Sequence, residues 1–308
     1  MEIARWQVAF VQDCNLRCSY CATQSGRHRN RPTHMNDTVF NQFAAFASAC
    51  APKEGSVLFE FGVGETFLHY DLFLRAAMRL RQIETDKNVQ VTIQVTTNGT
   101  LLTKARLEQL AEMGISLTFS IDGSRDVHDL HRKDSAGGGT HTKAIENWRT
   151  YRKMCFDSPL RPACNVHSVV TDATCLNDLI HYWMSEGQQM FSATVQLPNP
   201  FDDKETDSSL RSRQEKFLAE LESWAFAQAR RLEIPGFFSQ YRGLESIFRQ
   251  WWCMFFDEKS AGCRAGEDLL CVDSQGNLYP CEAFTGETDG RVGNIFQGVD
   301  SEKLETFR

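Results

Sequence analysis

The chain predicts an α/β fold with a parallel sheet, on three observations. Six short Val-, Ile- and Phe-rich stretches read as strands. Helical apolar periodicity recurs between them, which makes parallel pairing with right-handed crossovers the simplest topology. The least ordinary residues follow the strands, where α/β folds place their sites. Alternation alone is compatible with an open doubly wound sheet and with a barrel.

Ala4, Trp6, Val8 and Phe10 alternate, so residues 3–12 read as the first strand. A polar loop follows. Asn36 is placed to cap a helix carrying Val39, Phe43, Phe46 and Cys50 inward. Ser56 to Phe61 is the second strand, and Asp71 is the expected cap of a helix through about Glu84, with Leu72, Ala76, Leu80 and Ile83 inward. Val89 to Val95 alternate in the third strand, which ends at Asn98-Gly99. Thr103 caps the next helix, which closes at Gly114. Ile115 to Ile121 is the fourth strand, followed by the loop Gly137-Gly138-Gly139 and a helix over about 141–156. Cys164 to Val170, a helix from about 175 to Glu186, and Phe191 to Leu197 complete the repeat. Asp202 to Gln214 is apolar-poor and reads as a linker. Residues 211–232 read as an amphipathic helix with Phe217, Leu221, Trp224 and Ala225 inward. An aromatic-rich stretch, Phe237 to Phe256, is read chiefly as packing between domains. Cys155, Cys164 and Cys175 fall in expected core elements.

With 308 residues there is room for a large domain and a smaller one. No run is long and apolar enough to span a bilayer, and no signal segment opens the chain, so the expected location is cytoplasmic. Eleven cysteines in that compartment point to metal or redox chemistry rather than disulfides. The net charge of −7, with no block of Lys or Arg, argues against nucleic acid. Arg27, His28, Arg29 and Arg31 do gather in one loop, read as a solvated segment that offsets anionic ligands.

Cys14, Cys18 and Cys21 lie in the loop after the first strand at spacing C-x3-C-x2-C. A short loop has no interior to hide three thiols, so they are redox-active or metal ligands. Soft thiolates select zinc, copper(I) or iron–sulfur clusters. Structural zinc wants four protein ligands, and His28 is the one nearby candidate for a fourth. A four-iron cluster on three cysteines keeps one iron open. This spacing, with aromatic Tyr20 before the last cysteine, resembles the radical S-adenosylmethionine (radical SAM) family. The resemblance implies a partial (β/α)6 TIM-like barrel, open on one side. It also implies a 4Fe–4S cluster whose open iron binds the amino and carboxylate groups of SAM. Reductive cleavage of SAM there gives a 5′-deoxyadenosyl radical that takes hydrogen from the substrate.

Later motifs extend the resemblance in order. Val63-Gly64-Glu65-Thr66 is similar to the family's Gly-Gly-Glu-Pro stretch, with Val63 and Thr66 as departures. Gly64 permits a sharp turn, and Glu65 offers a negative partner for the SAM ammonium. Standing alone, Glu65 would read as a solvated carboxylate. Thr97-Asn98-Gly99 is similar to the family's Thr-Asn-Gly, although Asn-Gly is also a common turn dipeptide. Ser120-Ile121-Asp122-Gly123, with His128-Asp129 and Arg132, resembles the Ser-x-Asp-Gly pattern of members with extra C-terminal clusters. This implies that Ser120, Asp122 and Arg132 lie near the SAM ribose and carboxylate. The plain alternative for Arg132 is an ion pair with Asp129. Gln196 and Asn199 are weaker candidates for the adenine.

Near the C-terminus, Cys263, Gly276 and Cys281 fit C-x(9–15)-G-x4-C, which resembles the opening of SPASM and twitch extensions that hold auxiliary iron–sulfur clusters. Residues 272–281 read as a hairpin that places Cys281 beyond its second strand. No cysteine follows Cys281, so at most one auxiliary cluster is expected, with Cys253 and Cys271 as spare ligands or buried fillers. The domains expected are a core over 1–200, a linker and helix over 201–234, and the extension over 235–308. The function implied is modification of a peptide or protein segment by cross-linking, epimerisation or oxidation, as in sulfatase-type maturases. An electron donor such as flavodoxin or ferredoxin would serve it. The alternatives are a radical SAM dehydrogenase or isomerase of a small molecule and, more distantly, a non-catalytic iron–sulfur or zinc protein.

Overall fold

The computed structural model describes residues 1–21, 34–188, 191–196, 207–229 and 264–307. Six parallel strands pair in chain order: β1 (Arg5–Val8), β2 (Ser56–Phe61), β3 (Gln90–Thr97), β4 (Ser116–Ser120), β5 (Cys164–Val170) and β6 (Ser192–Val195). A doubly wound sheet reverses its strand order at a switch point; this order never reverses. It is the order of a barrel, and the sheet is not closed, so the arrangement is the partial barrel that the resemblance implies. On the β1 side the sheet continues through β7 (Leu269–Val272), β8 (Asn277–Tyr279), β9 (Gly293–Asn294) and β10 (Gly298–Val299). β7 joins β1 in parallel, pairing Cys271 with Gln7, and the later pairings are antiparallel. The extension is therefore continuous with the barrel wall. A short final helix, α8 (Ser301–Glu305), buries Leu304.

The two faces of the sheet differ in chemistry. Trp6, Phe59 and Phe61 point one way and meet Phe43 of α1 (Asp37–Ala49) and Phe73 of α2 (Tyr70–Lys87) edge to face, with centroids 5.3–6.1 Å apart. The same outer layer continues through α3 (Lys104–Glu112), the short α4 (Arg125–His131), α5 (His141–Asp157) and α6 (Leu176–Ser185), where Trp148 packs on Trp183. Each fully buried aromatic of this layer contributes about 1.5–3 kcal/mol. That layer supplies the stability, which leaves the opposite face free to be polar. Gln7, Glu60, Gln94, Thr96 and His167 alternate with the apolar set and line the concave side.

Local expectations hold with instructive shifts. The Asn36 side chain accepts from Val39 N at 2.9 Å, and Thr103 accepts from Arg106 N at 3.3 Å, so both caps are where the sequence puts them. Asp71 is not a cap: α2 starts at Tyr70 after His69, and Asp71 stands in the first turn, where the helix dipole favours it. β1 is shorter than 3–12 because its neighbour β2 ends opposite Val8; beyond that the chain leaves the ladder. The expected linker is partly helical, since α7 runs over Asp207–Ala229, and it buries Phe217 and Leu221. Its polar first turns carry too few apolar residues to reveal a helix. The side chains of Trp224 and Ala225 and the stretch 237–256 lie outside the description. Cys175 is exposed at the start of α6 rather than in the core. Among the described residues no helix is long and apolar enough to cross a membrane.

Candidate active site

The cysteine loop is held from two sides at the C-terminal ends of the strands. On one side is Gly64, at φ +71. A Cβ there would sit 2.1 Å from Val11 O and 2.6 Å from Asp13 O, so only glycine lets the two loops touch. Glu65 N donates to Asp13 O at 2.8 Å and completes the contact. On the other side Arg17 N donates to Lys133 O (2.8 Å) and Ser19 N to His131 O (3.1 Å). The Arg17 guanidinium donates to the carbonyls of Cys14 and Leu16 at 2.6 and 2.8 Å.

Cys14, Cys18 and Cys21 are all partly buried in this loop. Burial pushes the Cys14 thiol up to about 12, with the Glu65 charge and the neighbouring thiols adding to it. Burial also raises Cys18, against the Arg132 charge. Thiols in this setting become thiolates when a cation takes the proton's place. Leu16 N points at Cys14 Sγ (3.4 Å), as does Asn98 Nδ2 (3.8 Å), the kind of donor that supports a ligating sulfur. Among the described residues no three His, Cys, Asp or Glu side chains converge as a single ion would need. A cubane, which spreads its ligands over separate iron atoms, fits the loop. His28 and the basic residues around it lie outside the described residues.

Glu65 is 1% exposed. Its carboxyl accepts from Phe67 N (3.2 Å), Thr97 Oγ1 (2.9 and 3.1 Å) and Asn98 N (2.8 Å). Burial raises it to about 7, partly offset by those hydrogen bonds. The side chain thus welds the β2 loop to the β3 turn, a use the solvated-carboxylate alternative does not describe. Asn98 passes the contact on: its amide donates to Asn15 Oδ1 at 2.9 Å and its Oδ1 accepts from Thr100 N at 2.9 Å.

Asp122 and Arg132 form a second weld. Arg132 donates in bidentate fashion to Asp122 at 2.9 and 3.1 Å, and Asp122 also accepts from Val169 N (2.9 Å) and the Tyr20 hydroxyl. The Arg132 guanidinium lies 5.3 Å from the Tyr20 ring centroid. Burial pushes Asp122 up, but the Arg132 charge and these bonds reverse it, so its carboxyl is held below the usual range. Tyr20 therefore ties the cysteine loop to β4 and β5. Arg132 does not pair with Asp129, which takes Arg125 and caps α5 through the N–H groups of Thr140 and His141 at 2.8 Å. Ser120 is half-buried at the end of β4, in register with His167. Gln196 N donates to Val170 O at the end of β6; Asn199 lies outside the described residues.

In the extension, Cys281 follows β8 as expected, and Cys271 is buried on β7 with its sulfur 3.4 Å from Thr285 Oγ1. Gly276 lies at φ +81, and a Cβ there would strike Ile295 at 2.7 Å. Cys263 and Cys253 lie outside the described residues. Sequence reasoning missed Glu282. Its N–H donates to Gln7 Oε1 at 2.8 Å, and its carboxyl reaches over Gly62, where a Cβ would be 3.4 Å away. Arg5 is committed to Glu60, and among the described residues the Glu282 carboxyl has no hydrogen bond or ion pair. Glu282 as a whole is exposed to solvent, while desolvation of its carboxyl against the sheet, and the Glu60 charge, raise it, with Arg5 opposing. Its place directly after Cys281 was the available signal.

Residues 8–167 match the radical SAM superfamily. The chain is 27% identical over 306 residues to a cysteine-type anaerobic sulfatase-maturating enzyme of Clostridium perfringens, covering 95% of this chain and 77% of that one. It is 31% identical over 318 residues to a serine-type enzyme of Bacteroides thetaiotaomicron, covering 96% and 72%. The fold resembles anSMEcpe with bound AdoMet at TM-score 0.75 and 23% identity, over 97% of this chain and 79% of that one. The same protein is also solved with AdoMet and the Cp18Cys peptide. The chain belongs to the radical SAM superfamily, whose cofactors are a 4Fe–4S cluster and S-adenosylmethionine.

Proposed function

We propose that this enzyme oxidises a cysteine or serine side chain within a peptide or protein, with Cys14, Cys18 and Cys21 as ligands of the catalytic cluster. The observation that carries the reading is the Glu282 carboxyl, which lies over Gly62 beside Gln7 and has no hydrogen bond or ion pair among the described residues. Likeness to cysteine-type and serine-type sulfatase-maturating enzymes supports the substrate class. When bound, the cluster and SAM supply a carbon radical that removes a hydrogen atom. The chain's own task is to position and to manage protons. Gly64, Asn98 and Ser120 present polar backbone and side-chain groups to SAM, while Glu65 and the Asp122–Arg132 pair fix the turns that carry them. Glu282 accepts the thiol or hydroxyl proton, a role favoured by the desolvation and the Glu60 charge that push its carboxyl up. Cys263 and Cys281 would hold an auxiliary cluster, which would supply an acceptor for the second electron, with flavodoxin or ferredoxin as the external donor. The cytoplasm is the compartment in which such a donor and reduced thiols coexist.

The test is anaerobic incubation with SAM, reductant and a peptide deuterated at Cβ of its Cys or Ser. Deuterium is expected in 5′-deoxyadenosine, together with an oxidised peptide. Changing Cys14, Cys18 and Cys21 to Ala abolishes both. Glu282→Gln keeps SAM cleavage but lowers peptide product about 10²–10⁴-fold, the usual worth of a positioned base. Label passing from a small metabolite, and from no peptide, refutes the reading.

A further inference from the structure

The turn between the second and third cysteines is braced by a residue outside both welds. Cys21 N donates to Cys18 O at 3.3 Å, so Ser19 and Tyr20 are the two central residues of a tight turn. His131, the last residue of α4, meets both of them. Its Nδ1 hydrogen-bonds Ser19 Oγ at 2.8 Å, and its ring centroid lies 5.5 Å from that of Tyr20. Its other nitrogen, Nε2, hydrogen-bonds Thr171 Oγ1 at 3.2 Å. The far end of this bridge is anchored. Thr171 is buried directly after β5; its N–H donates to Thr174 Oγ1 at 2.9 Å and its hydroxyl oxygen accepts from Ala173 N at 3.2 Å. α7 grips the same loop from outside. Arg213 donates to the Asp172 carboxylate at 3.2 Å, Lys216 donates to Asp172 O at 3.1 Å, and Glu220 accepts from Leu176 N at 2.7 Å.

We propose that His131 is a positioning residue: it braces the Ser19–Tyr20 turn against the loop after β5 and so sets how Cys18 and Cys21 present their sulfurs. The inference rests on the reading of the three cysteines as ligands of one cluster. The backbone angles of Ser19 and Tyr20 decide where the two flanking thiols point. The turn itself is closed by one bond of 3.3 Å, and Ser19 is exposed, so water competes for its groups. Tyr20 is held at the tip of its side chain, where the hydroxyl donates to Asp122. Ser19 is held by His131. An imidazole carries two bonding nitrogens on one rigid ring. With both engaged, the ring cannot turn without losing a bond, and it spans from the turn to Thr171 as a strut. His131 therefore stands behind the residues between two ligands, the place from which outer groups orient ligating side chains.

The experiment is amide hydrogen exchange of the intact protein, before and after anaerobic reconstitution with iron and sulfide. It is read on the peptide containing residues 18–21 and on control peptides from α2 and β3. In His131→Ala the 18–21 amides are expected to exchange about two- to tenfold faster, the worth of an ordinary hydrogen bond, with the controls unchanged. His131→Asn, whose amide reaches Ser19 but not Thr171, is expected to recover part of the protection. Thr171→Val, which leaves His131 in place without its anchor, is expected to lose a similar part. The iron that depends on Cys14, Cys18 and Cys21 should pass to a ferrous chelator faster in His131→Ala than in the parent, with His131→Asn between them. Equal exchange at 18–21 in parent and His131→Ala overturns the proposal. Faster exchange spread evenly over the control peptides also overturns it, because that is a general loss of stability. Iron uptake that does not depend on the three cysteines refutes the cluster reading instead, and the exchange comparison still decides whether His131 braces the turn.

Discussion

Breaking the Asp122–Arg132 pair from either side should cost most of what the welded site has to lose. Both residues are buried, at 2% and 7% exposure, and share two bonds at 2.9 and 3.1 Å. Asp122→Asn keeps the shape but turns an amide NH2 toward two donors, the Arg132 guanidinium and the Tyr20 hydroxyl. It also leaves the guanidinium without its counter-charge. Removing one member of such a pair costs about 3–5 kcal/mol, a third or more of the stability of an ordinary domain. Arg132→Met strands the carboxylate and should cost the same. The double variant should cost less than the sum, because neither charge is then left alone; a shortfall of about 2 kcal/mol is within the range for residues in contact. The assay is urea unfolding of the metal-free protein at neutral pH, followed by circular dichroism. The pair also makes a pH statement. With its folded value below the usual 3.8, Asp122 contributes stability that is present above that value and lost as pH falls through the folded one. Parent and variants should therefore converge in acid. Single variants costing under about 1 kcal/mol, or strictly additive losses, would refute the claim that these two groups hold each other.

Gly64→Ala should lower the iron and sulfide taken up on reconstitution: the left-handed conformation alone costs about 1–3 kcal/mol, and the new Cβ meets Val11 O at 2.1 Å. Normal cluster content with intact secondary structure would show that the two loops need not touch. Glu65 carries a raised folded value, about 7 against 4.5, so its contribution is full below pH 4.5 and lost as pH rises through 7. The parent should lose about 3 kcal/mol across that window relative to Glu65→Gln, measured as the difference between their unfolding curves. For the extension, the Cys14, Cys18, Cys21 triple Ala variant should still bind iron and sulfide, and a further change of Cys263 and Cys281 to Ala should remove them. A colourless but folded triple variant would leave the extension without a cluster.

What the sequence made legible follows from the range of each interaction. Strand and helix periodicity is local, so six βα units could be counted. Whether they form an arc or a doubly wound sheet depends on strand order, which no local pattern encodes. Glycine at position 64 could be named because a left-handed turn is a property of one residue. Its partner, the backbone at Val11 and Asp13, could not, because contact between loops is decided by the fold. The same limit explains the charged groups. In sequence Glu65, Asp122 and Arg132 are polar residues after strands, and the resemblance places them near a ligand. Their observed contacts are with the protein: Glu65 with the β3 turn, Asp122 with Arg132 and Tyr20. A carboxylate bound to a neighbour and one facing solvent look alike in sequence, and burial with counted donors separates them. Glu282 shows the converse. In sequence it is one acid beside a cysteine. It stands out because Arg5, the cation whose charge opposes its rise, is already committed to Glu60, and the two acids come together when the β7 extension joins β1. Among the described residues Glu65, Asp122 and Arg132 bind neighbouring loops and strands, and the Glu282 carboxyl, with no hydrogen bond or ion pair there, is the group to test as the base.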